Sequence, residues 1–220
     1  MSALALRRAA WSHPELGAAG AAAAAWALLA AHALHPHTGQ EPFMAGLAGW
    51  IVTATAMMVP GALADVRRVA LSSMWPRRRR TVVVFLGAYL TVWTGFGALA
   101  LAALPLLGVG AGVLLAAAAA WELTRGKWRA LRRCHLLEPL PPRGNRADAA
   151  CAGQGLRYGA RCVTSCWAPM LAMAAAGHLA VALMALLTVV ITVEKTVVRS
   201  ARLRSPAAAT LAGAAVVALL

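Results

Sequence analysis

Acidic residues are scarce in this chain. Only 7 Asp+Glu stand against 21 Lys+Arg in 220 residues, and charged residues make up 13%, where a soluble domain carries about 25%. Carboxylates this few and this peripheral do not supply acid–base catalysis on a substrate. There is no phosphate loop, no nucleophile elbow, no zinc-protease motif and no Ser/His/Asp order. No catalytic residue set is found, and an enzyme is not expected. Stacking aromatics do not interleave the basic runs, which excludes a nucleic-acid module despite the basic balance. Long polar segments are lacking too. The longest stretch between apolar runs, roughly residues 124–156, holds Pro, Gly and Arg but few core formers, so no separate soluble domain is expected.

What the chain does have is apolar length. Hydrophobic residues are 61% and mean hydropathy is +0.68, which reads as an integral membrane protein. A crossing helix needs about 20 apolar residues. Candidate spans lie at 16–34, 43–64, 81–104, about 106–124, about 158–176 and about 178–195. A shorter run at 207–220 makes a seventh only if it spans. The expected fold is all-α: a polytopic transmembrane helical bundle of six or seven spans, with residues 1–15 as an N-terminal segment and 16–220 as one transmembrane domain.

All 21 Lys and Arg fall in four groups: before the first span, between the second and third, between the fourth and fifth, and after the sixth. The alternate connections, "HPHTGQEP", "PLLGVGAG" and the turn at Gly177, have none. By the positive-inside rule the N-terminus is cytoplasmic, in the cell inner (cytoplasmic) membrane. Arg7, Arg8 and "AHA" at 31–33 imitate a signal peptide. The apolar run exceeds the usual 7–15 or so residues, so an uncleaved span is expected.

Several stretches in register, "AMMVPGAL" (56–63), "GAYLTVWTGFGALA" (87–100), "ELTRGKWRALRRC" (122–134), "GLRYGARCVTSCW" (155–167) and "EK" (194–195), carry a likeness over about residues 43–198. The chain resembles a bacterial family of predicted metal-binding integral membrane proteins, a domain-of-unknown-function family. That resemblance implies metal binding. It also implies a thiol at position 130, here Ala130, paired with Cys134, and a thiol at 165, here Ser165, between Cys162 and Cys166.

From the residues themselves, Cys134, Cys151, Cys162 and Cys166 all map to the reducing cytoplasmic side, where a structural disulfide is not expected. Cys162, Cys166 and Met170 recur every four residues and share a helix face, with Met173 close by. Soft thiolate and thioether donors suit Cu(I). Cys162 is expected in the first turn of the fifth span, where the helix end, Arg157 and Arg161 favour a thiolate. Cys134 with His135 adds donors from the neighbouring loop. Met57 and Met58 flank a kink at Pro60. The leading expectation is therefore a soft-metal site, Cu(I) above others, of Cys162, Cys166, Cys134, His135, Met170, Met57 and Met58. The same residues also fit two other readings, a membrane scaffold or assembly partner in which the thiols only pack and a membrane thiol redox protein.

A second candidate metal site, at the outer face, comprises His32, His35, His37 and His178, which also read as an ordinary interface loop. Asp65, Glu122 and Glu194 sit at inner span ends and are expected to pair with Arg68, Arg125 and Lys195. The stretch "TRGKWRALRRCHLL" reads as an interfacial amphipathic helix on anionic lipid. "GLRYG" places small residues four apart, a packing signal. Expected partners are the bilayer and a metal donor or acceptor protein.

Overall fold

The computed structural model describes residues 12–34, 43–134, 136, 138–141, 144–175, 180–196 and 213, and these are helical with short connections. Helix α1, Leu16–Leu34, coincides with the first expected span. It buries Ala18, Ala22 and Ala25, a stripe small enough to let α2, Phe43–Met58, lie close. At Pro60–Ala62 the chain tightens into a 3-10 turn and continues as α3, Leu63–Ser72, bent 48° from α2. Proline explains the break. Pro60 has no N–H to give the Ala56 carbonyl, and Trp26 of α1 donates its indole N–H to that oxygen at 3.0 Å instead. Ala62 turns its N–H to Val59, which leaves the Met58 carbonyl facing the Tyr89 hydroxyl at 3.5 Å.

A second 3-10 turn, Trp75–Arg77, leads into α4, Arg78–Leu107. Helix α4 ends at Gly108, whose φ of 59° is the left-handed cap that glycine adopts without strain. Helix α5, Ala111–Glu122, has 12 residues, about 18 Å of length. Helix α6 is Arg125–Cys134, α7 is Gly144–Ala175 and α8 is Ala180–Thr196. Helix α7 starts well before the expected fifth span. Its first half, "GNRADAACAGQGLR", is polar enough to escape a hydropathy reading but good enough helix former to continue the same rod.

Among the described residues, two helices are long and apolar enough to cross a membrane, Leu16–Leu34 and Trp75–Leu107, and the bent pair α2–α3 makes a third if taken as one span. That is fewer than the six or seven expected. Helix α4 takes the first residues of the expected fourth span and ends at Gly108, leaving α5 only 12 residues, and α7 mixes a polar half with an apolar one. The stretch 207–220 lies outside the described residues apart from Gly213.

Helices α4 and α7 pack most closely of all. A Cβ on Gly155 would meet the Phe85 carbonyl oxygen at 2.5 Å, and one on Gly159 would meet Val92 at 3.0 Å. The "GLRYG" spacing is therefore the seam between these helices, and it sets Tyr158 against Phe85 and Tyr89. Helix α6 lays Trp128 and Leu131 against α7, so protein covers the apolar stripe that was expected to face lipid.

Candidate metal centre

Cys162 lies in the middle of α7, not in its first turn. The field of the helix end therefore does not act on it. Arg157 and Arg161 are engaged elsewhere: Arg157 donates to Glu138 at 2.8 Å, and Arg161 donates to the Arg133 and Leu136 carbonyls at 2.9 and 3.1 Å. The cation at the sulfur comes from another helix. Lys195 of α8 donates from Nζ to Cys162 Sγ at 3.0 Å, and the Tyr89 hydroxyl of α4 lies 3.2 Å from the same atom. Countercharge and hydrogen bond together are what a thiolate requires.

Lys195 reaches the sulfur across the break between α2 and α3, against which α8 packs. Gly61 stands where the lysine stem passes, and a Cβ there would meet Lys195 Cδ at 2.8 Å. Beyond the break, Nζ sits 5.8 Å from the centre of the Tyr158 ring, within cation–π range. The side chain is 2% exposed.

Cys166 follows one turn after Cys162 on the same face of α7, and both thiols are buried. Ser165 donates to the Cys162 carbonyl at 2.9 Å and lies 3.4 Å from Cys166 Sγ. Cys134, the last residue of α6, is buried in the same core. Pro169 leaves the Ser165 carbonyl without its helical donor. Cys134, Cys162, Cys166, Met57, Met58, Met170 and Met173 are all buried in one core cluster. Among the described residues no three of His, Cys, Asp and Glu converge as a ready-made ligand set. What the fold brings together is the Cys162–Cys166 pair on one face of α7, with a third thiol and thioethers in the same core. This donor set fits a soft monovalent metal better than a hard one. Burial first, then the neighbouring Cys162, push the Cys134 thiol up to about 12, so it carries its proton at neutral pH.

The remaining sequence candidates divide. His32 is exposed in the last turn of α1. His35, His37, His135 and His178 lie outside the described residues. Cys151 is buried away from the pair, with its thiol 3.4 Å from the Thr81 carbonyl. Ala130 lines an open groove of about 610 Å³ with Arg129, Arg133, Arg161 and Thr164.

The three acids are all buried. Asp65 keeps Arg68 at 3.1 Å, as expected, and also accepts from the Tyr158 hydroxyl at 3.1 Å. Glu122 and Glu194 pair with neither Arg125 nor Lys195 as expected. Both accept from Lys127, Glu194 at 2.7 Å. Burial works against the Lys127 ammonium, but Glu194 and Glu122 outweigh it and hold the group above the usual lysine range.

With this geometry in hand, a family model described as PpoB2, copper chaperone, matches residues 47–218. The chain belongs to the PpoB2 copper chaperone family. A copper-related function follows from that membership, and it agrees with the soft donors at the thiol pair. No curated protein and no solved structure matches the chain. Within the copper chaperone match, Lys195, Tyr89, Tyr158 and Gly61 are the site residues that spacing along the chain did not assign. The signal for Lys195, Tyr89 and Tyr158 is a polar side chain inside or at the end of an apolar run, where burial without a partner is costly; Gly61 carries no such signal.

Proposed function

We propose that this protein is a multi-pass copper chaperone of the inner (cytoplasmic) membrane, with six or seven spans and a cytoplasmic N-terminus. It holds Cu(I) as cargo between Cys162 and Cys166, with the buried thioethers as further, neutral donors and the protonated Cys134 thiol beside them, and passes it to or from a partner protein. The observation that carries this reading is the buried Cys162–Cys166 pair, in a core that also contains methionines, beside a lysine countercharge. The bilayer setting is supported by large apolar side chains left open to the surroundings, such as Val83 at 70%, Leu99 at 72% and Leu106 at 88% exposed. Arg129, Arg132 and Arg133 on the open face of α6 suit contact with anionic lipid at the cytoplasmic face.

The test is retention of Cu(I) by the purified protein against a competing chelator. Wild type should hold the metal. Cys162→Ser and Cys166→Ser should each weaken retention by about 100-fold or more, and Cys134→Ser by about tenfold. Equal retention by a variant lacking all four cysteines would overturn the copper site. A reversible Cys162–Cys166 disulfide in cells, found by mass spectrometry, would replace it with the thiol redox reading.

A further inference from the structure

The proposed cargo site contains a fixed positive charge. Lys195 gives its hydrogen bond to Cys162 sulfur, whereas Lys127, the other buried lysine, is shared by Glu122 and Glu194. The stem of Lys195 is held in the Pro60–Ala62 break against Gly61 and its head over the Tyr158 ring, so the ammonium belongs to the architecture of the site. Metal-bound thiols are thiolates. Two thiolates around a monovalent ion carry a net charge of minus one, which the Lys195 ammonium balances. Two thiolates around a divalent ion carry no net charge and leave the ammonium without a countercharge among the ligands. In a buried, apolar setting an uncompensated charge is costly.

We infer that Lys195 is a specificity-determining residue, selecting a monovalent soft cation over a divalent one at the Cys162–Cys166 pair. The inference rests on the proposed copper site and adds the basis of its selectivity. Lys195 need not touch the metal. It acts through the charge that it sets beside Cys162, and Tyr89 completes the contacts of that sulfur from the opposite helix.

The experiment measures Cu(I) and Zn(II) retention separately, each by chelator competition, for wild type, Lys195→Met, Lys195→Arg and Cys162→Ser. Wild type should prefer Cu(I). Lys195→Met should loosen Cu(I) and tighten Zn(II), lowering the ratio of the two affinities by about tenfold or more. Lys195→Arg, which keeps the charge, should stay within about threefold of wild type; it also covers the case in which Lys195→Met fails to fold. If wild type binds Cu(I) through Cys162 but Lys195→Met keeps the wild-type ratio, or Lys195→Arg loses it as the methionine variant does, the selectivity role is overturned and the copper site stands. If wild type retains no more Cu(I) than Cys162→Ser, the copper site itself is overturned.

Discussion

Cys151 is the thiol that the sulfur cluster leaves out, and its chemistry is a matter of protons. Burial first, then Asp148, push it up to about 11 from an ordinary value of 9.0, against the pull of a backbone hydrogen bond and Arg77. The folded state therefore holds a proton that the unfolded chain gives up near pH 9. The stabilisation is fully present below that pH and is lost as pH rises through about 11. Wild type should lose unfolding free energy between pH 8 and 11 by up to about 2 kcal/mol more than Cys151→Ala does, measured by denaturant titration. Parallel curves for the two proteins would contradict this. A second test at this scale concerns Gly61. A methyl group there meets the Lys195 stem at 2.8 Å, so Gly61→Ala should pull the ammonium off Cys162. Its Cu(I)-to-Zn(II) affinity ratio should fall in the same direction as that of Lys195→Met, by about threefold or more. An unchanged ratio would mean that the stem bends aside without moving its head.

At the scale of elements, the seam between α4 and α7 decides how closely Tyr89 can approach Cys162. Position 155 faces a backbone oxygen of α4, which cannot give way, whereas Gly153 faces only Arg157 at an ordinary 3.5 Å. Gly155→Ala should therefore destabilise the bundle by about 1–3 kcal/mol. Gly153→Ala should be neutral or stabilise by about 0.5–1 kcal/mol, through helix propensity. Thermal unfolding in detergent separates the two, and equal effects would show that the seam is looser than described. The "GLRYG" spacing announced this contact because small residues four apart can only be a stripe on one helix face. Other relations were not legible. Hydropathy marks where a helix would enter lipid, not where the helix begins, so the start of α7 at Gly144 was hidden and Cys162 was misplaced into a first turn. Glu122 and Glu194 were matched to the nearest cation along the chain. Packing brings both to Lys127 from a third element, and frees Lys195 for sulfur. Periodicity shows which residues share a face, but not which face of a distant helix will meet it.

At the scale of the whole molecule, ion pairs among the described residues link the basic connections to one another. Arg67 of α3 reaches Glu15 beside the start of α1 at 3.1 Å. Arg77 and Arg80 at the start of α4 hold Asp148 near the start of α7, and Arg157 holds Glu138 ahead of that helix. These pairs join basic groups that lie far apart in the sequence, as expected if every basic connection sits on one side of a bilayer. The connection at Gly108–Gly110, with no basic residue, lies at the far end of the 30-residue α4, about 45 Å from its basic start, which is enough to cross the hydrocarbon. In the proposed topology the basic end faces the cytoplasm, and with it the polar half of α7. Single cysteines placed in a cysteine-free background test this directly. Gly110→Cys should react with a membrane-impermeant maleimide in intact spheroplasts. Asn145→Cys, exposed near the start of α7, should react only after lysis. Reaction of both before lysis would place the two ends of α4 on one side and remove the crossing. The reverse pattern would keep the crossing but turn the molecule over, and the cargo site would then lie beside the outer rather than the reducing compartment.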